Sequence, residues 1–115
     1  MHNQTAAHAA TTTESRARDK LALTEACSAL WVATLALMTA FMQTAAPAHR
    51  YLIARKIAKN LAMLREEEAV FSAECRMIFG NLAQRWSAKA DQLAPGQDRP
   101  RDRMGLLQAA IAKLQ

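Results

Sequence analysis

The sequence predicts an all-α protein, a small bundle of three main helices followed by a short C-terminal one. Three observations carry that prediction. Apolar residues make up 51% of the 115 residues, yet aromatic residues reach only 5% and there are just 3 glycines and 3 prolines. Alanine dominates the apolar fraction; it loses no side-chain entropy in a helix, whereas strands draw on the β-branched and aromatic residues that are scarce here. The apolar residues also recur three and four positions apart through most of the chain, the period of a helix with one buried face. A chain of this length holds one domain around one core.

Residues 1–12 are polar, rich in Thr and small side chains, and without apolar period. They read as a disordered or weakly ordered tail, which leaves 13–115 as a single helical domain.

Helix 1 is expected over about 13–43. On a wheel at about 100° per residue, Leu23, Cys27, Leu30, Trp31, Leu35, Leu37, Met38, Phe41 and Met42 share one broad side. Beside them run Ala22, Ala26, Ala29, Ala33, Ala36 and Ala40, spaced alternately four and three residues apart. Such a seam of small side chains lets another helix come close. Only Glu25, Ser28, Thr39 and Gln43 remain for water, so helix 1 is expected to be surrounded on most sides. The seam reads as a self-association surface; in a monomer it would instead pack helix 1 against helix 3.

Ala26 to Ala48 carries no charged side chain, and roughly 20 apolar residues suffice to span a bilayer. Against a span, Thr, Ser and Gln interrupt the run, Trp31 lies inside it, and Arg and Lys flank both ends, so there is no positive-inside asymmetry. A cleaved signal peptide fits poorly as well: the charged region ahead of the run is long, and the one cleavage-like site, Thr44-Ala45-Ala46, is followed by Pro47.

Helix 2 is expected over about 47–65, with Pro47 in its first turn, where a missing N–H costs nothing. Ile53, Ile57, Leu61 and Leu64 form its core stripe, with Ala54 and Ala58 beside it. Arg55, Lys56 and Lys59 lie opposite as a basic face, and Leu52 and Met63 sit among those cations. A break is expected near Arg65, where cations suit one helix end and Glu66, Glu67 and Glu68 suit the start of the next. No Gly or Pro marks it, so one helix from Pro47 to Leu93 is the alternative.

Helix 3, expected over about 67–93, carries Phe71, Cys75, Ile78, Phe79, Leu82, Trp86 and Leu93 on one side. Pro, Gly and alternating charge mark 94–103 as a loop. Met104, Leu107, Ile111 and Leu114 then outline a short amphipathic helix over about 103–114.

The chemistry available to these residues is narrow. A nucleophilic triad needs a positioned base, but His2 and His8 fall in the tail, leaving His49 alone in the first turn of helix 2, where it reads as an exposed surface side chain. Glu66 to Glu68 are consecutive and fan out around a helix, unlike paired acids in a cleft. Cys27 and Cys75 follow no CxxC spacing and read as buried free thiols. No tetrahedral zinc set, Glu-x-x-His pair or glycine-rich phosphate cradle is present in the sequence. No catalytic, cofactor-binding or metal-binding residue is assigned, no cofactor is expected, and an enzyme is the least supported class.

A net charge of +5 suits nucleic acid, anionic lipid or an acidic protein and selects none of them. The best helix-turn-helix candidate, starting at Ile57, has Ala62 and Met63 where the turn usually holds Gly, and its second helix would open with three glutamates facing the DNA backbone. The expectation is a non-catalytic, regulatory or adaptor protein of the bacterial cytoplasm that forms a homodimer and binds a protein partner, of acidic character if it uses the basic face. The alternatives are a nucleic-acid-binding regulator using Arg55, Lys56 and Lys59, and a membrane-associated small protein.

Overall fold

The computed structural model describes the backbone of residues 2–96, the side-chain surroundings of 11–96, and Ile111 and Lys113. It is all-α: α1 spans His2–Gln43, α2 Pro47–Arg65 and α3 Ala73–Leu93. The expected C-terminal helix over 103–114 lies almost wholly outside the described residues.

Helix α1 starts at His2, eleven residues ahead of Thr13. The continuation follows from local preference: Ala6, Ala7, Ala9 and Ala10 are strong helix formers, and no Gly or Pro stops them. A short extended link, 44–46, turns the chain back into α2. Pro47 opens that helix without a side-chain cap.

The break after Arg65 takes a form that the charge pattern did not foretell. Glu66 to Glu68 do not start a helix, and α2 does not run on to Leu93. They lie in successive tight turns, with Glu67 N–H donating to Leu64 O at 3.2 Å and Phe71 N–H to Glu67 O at 3.1 Å. Helix α3 begins only at Ala73, because Ser72 supplies the N-cap: its Oγ accepts the Cys75 N–H at 3.2 Å. A capped start satisfies an orphan donor outright, which three carboxylates near a helix end do not. Glu74 then adds a favourable charge in the first turn.

The core gathers on α2, where Ala54, Ile57, Leu61 and Leu64 are fully buried. Helix α3 contributes Phe79, Ala83 and Ala90, and α1 contributes Cys27 and Phe41. Burying each large side chain is worth about 1.5–3 kcal/mol, so α2 is the central helix of the bundle. The backbones of α2 and α3 pack closely and α1 lies along α2, while α1 and α3 make no close backbone approach. Rings bridge that wider gap: Trp31 meets Phe79 at 5.3 Å and Phe41 meets Trp86 at 5.0 Å between centroids, both edge to face. Phe71, in the turn before α3, adds a third such pair with Phe79 at 4.9 Å.

Two expectations about side chains are corrected here. Helix α1 is covered on one side only, so Leu35 and Met42, placed on its core stripe by the wheel, are 44% and 82% exposed. Two partner helices cannot wrap a third. Cys75 and Ile78 are exposed as well: Phe79 takes the covered place beneath the rings of Trp31 and Phe71, and Ile78, about 100° away on the helix, faces outward.

Candidate interaction surfaces

Helix α1 is held by its C-terminal end. Arg50 in the first turn of α2 donates from Nη1 to the carbonyls of Phe41 and Thr44, at 3.2 and 3.1 Å. Its guanidinium carbon also lies 4.0 Å from the Phe41 ring centroid. One cation thus caps orphan carbonyls of a helix that has no basic residue in its own last turn. Further along α1, Thr34 is fully buried with its hydroxyl donating to Leu30 O at 2.7 Å, so it enters the core without an unmet donor.

The opposite face of α1 is bare. Ala22, Ala26, Ala29, Ala33 and Ala36 are exposed and Ala40 is half-buried. The seam therefore does not pack against α3. Leu21 at 60% and Val32 at 64% exposure widen the apolar surface beside it. From Thr11 to Gln43 the helix is long and apolar enough to cross a membrane by length and composition, and only 11% of its most apolar 18-residue window is buried in the bundle.

The second surface is the outer side of α2. Arg55, Lys56 and Lys59 are exposed, and none of the three makes an ion pair with a carboxylate among the described residues. Arg55 Nη1 donates to the Tyr51 hydroxyl at 3.2 Å, one turn back. Leu52 and Met63, the apolar residues among these cations, are 58% and 51% exposed. Between this ridge and α3 runs a groove floored by alanine, with a cavity of about 490 Å³ lined by Arg55, Ala58, Lys59, Ala62, Ala83 and Ser87 among others. A second cavity of about 310 Å³ continues it past Ala58 and Ser87 to Tyr51 and Asp91.

The remaining reactive groups stand apart. His49 is exposed, and among the described residues no three His, Cys, Asp or Glu side chains gather where a metal ion could sit. Cys27 and Cys75 are free thiols, the first buried and the second exposed. Burial, and secondarily the carboxylate of Glu67, push the Cys27 thiol above its ordinary value, which makes it less reactive, not more.

Three residues that matter here carry no functional mark in the sequence. Arg50 looks like one more surface cation, and only the position of the α1 terminus reveals its task. Thr34 and Asn60, the latter 2% exposed, are polar residues in core positions. A polarity pattern assigns both to the outside. No family model, curated protein or solved structure matches the chain.

Proposed function

We propose that this chain is a non-catalytic interaction protein, regulatory or adaptor in role, that self-associates through the uncovered face of α1. The observation behind this reading is the apolar helix left bare on the side that carries the alanine seam. Contiguous apolar surface of this length is uncommon on a solitary soluble domain. A second copy is the economical cover, since a two-fold axis sets the same patch against itself, and alanine against alanine allows close backbone approach. Sedimentation equilibrium should give a dimer mass that does not change with salt. Ala33→Glu, at an exposed position, should give a folded monomer with the same helicity. A wild-type monomer at high concentration would end the proposal.

A second reading starts from the length and exposure of the same helix, which also suit a lipid bilayer. In the folded bundle α2 lies along α1, and insertion would carry Arg55, Lys56 and Lys59 toward hydrocarbon at about 2.5–3.5 kcal/mol each. This reading therefore requires α1 to part from α2 and α3. Co-flotation with phospholipid vesicles, with loss of the Trp31 and Trp86 fluorescence signature of the closed bundle, would favour it over the dimer.

A further inference from the structure

We propose that the outer ridge of α2, formed by Leu52, Lys56, Lys59 and Met63 with Arg55 beside them, binds an acidic amphipathic helix, about three turns long, presented by another protein. Leu52 and the three cations share a shallow cavity of about 300 Å³ that no residue of α1 lines, and Met63, at the far end of the same face, also borders Leu23, Ala26 and Leu30 of α1.

Charge complementarity identifies the occupant. Helix α2 contains no acidic residue at all, and Arg55, Lys56 and Lys59 stand exposed within little more than one helical turn, without a carboxylate partner among the described residues. Tyr51 accepts a hydrogen bond from Arg55, which steadies the guanidinium at the edge of the ridge.

The geometry sets the length. Leu52 and Met63, exposed at either end of the ridge, are eleven residues apart on one helix, or about 17 Å at ~1.5 Å per residue. An occupant whose apolar residues reach both of them spans about three turns and sets its carboxylates over the cations between. In such a contact the apolar anchors supply most of the affinity, and the charges supply orientation and encounter rate.

The boundaries of the ridge argue against nucleic acid. Directly beyond Met63 and Arg65 come Glu66, Glu67 and Glu68. A phosphate backbone, which is longer than a three-turn helix and continues along the ridge, would run onto those carboxylates, and phosphate binding gives Leu52 and Met63 no role.

The test is selection of a displayed library of 16-residue peptides on the full-length chain. Enriched sequences should carry net negative charge with apolar residues at i, i+3, i+4 and i+7. A synthetic peptide of that consensus should bind at least tenfold more weakly to the Lys56→Glu/Lys59→Glu double variant, and also to Leu52→Ala/Met63→Ala. It should bind Ala33→Glu as it binds the wild type, so that failure of self-association and failure of this site are read separately. All these positions are exposed, and circular dichroism verifies that each variant is folded. Enrichment of uncharged or basic peptides, or affinity indifferent to Leu52 and Met63, would overturn the proposal. So would duplex DNA that binds more tightly than the consensus peptide and competes for the same cations.

Discussion

The guanidinium of Arg50 stacks on the ring of Phe41 at 4.0 Å while hydrogen-bonding to the Phe41 carbonyl at 3.2 Å. Phe41 is buried, and its ring meets Trp86 edge to face, so three helices are joined through one side chain. Phe41→Ala should cost about 3–5 kcal/mol. Arg50→Ala should cost about 1–2 kcal/mol through the lost carbonyl caps and ring contact. A double-mutant cycle by urea denaturation should return a coupling near 1 kcal/mol; strictly additive losses would mean that the stack contributes nothing.

Asn60 is buried with its Oδ1 unmatched by any protein donor. An unsatisfied polar atom in a core carries a desolvation cost of about 1–3 kcal/mol. Asn60→Leu keeps the branching at Cγ and removes the polar atoms, so the urea midpoint should rise by the equivalent of about 1 kcal/mol. A fall in the midpoint would show instead that the amide is paired in solution.

Gly80 sits mid-helix in α3 beneath the Arg65 side chain, whose Cδ would lie 3.0 Å from an added Cβ. That stem is flexible and partly exposed, and its ion pair with Glu66 at 3.0 Å is a surface contact worth little. Gly80→Ala should therefore gain about 0.5–1 kcal/mol from helix propensity as Arg65 swings aside. Thermal melting of the variant provides the check, and a lower midpoint would mean that Arg65 cannot yield.

The two thiols should report on the fold in opposite ways. Cys75 is exposed and should react at once with an aromatic disulfide reagent, whereas Cys27 should react only as the bundle opens. Burial first and Glu67 second raise the Cys27 thiol above its ordinary value of 9.0. The unfolded chain releases that proton at the ordinary value and the folded chain holds it longer. Stability from this group is therefore intact below about pH 9 and declines as pH rises through the folded pKa. Cys27→Ala should lack that alkaline decline, which denaturation midpoints measured from about pH 8 to pH 10.5 would reveal; identical pH profiles would refute the assignment.

How far the sequence spoke for the structure depends on the neighbours each residue acquires. The all-α class was legible because alanine abundance and aromatic scarcity act locally. The core stripe of α2 was legible because that helix has neighbours on two sides and shows the ordinary amphipathic period. On α1 the wheel marked Leu23, Cys27, Leu30 and Phe41 along with Leu35 and Met42, since periodicity shows which residues are apolar and not how many helices are present to cover them. The start of α3 was misplaced because three consecutive glutamates look like a helix start by charge, while the single hydroxyl of Ser72 decides it by a hydrogen bond. The basic ridge could be drawn from spacing alone, but its alanine-floored groove depends on which face of α3 turns toward α2.

The overhang of α1 has a thermodynamic consequence. From Thr11 to Ala22 the helix runs about 17 Å, at ~1.5 Å per residue, before Leu23 packs against the core. All of these residues except the half-buried Thr12 are exposed, so their order rests on helix propensity and on local pairs such as Glu14 with Arg18 at 3.8 Å, and single-helix order in water is only marginal near this length. Warming should unwind it gradually, residue by residue from the N-terminus, and helicity should slope downward well before the bundle melts in one step. A chain built this way has two melting regimes in a single helix, and the boundary between them is the first turn that touches α2.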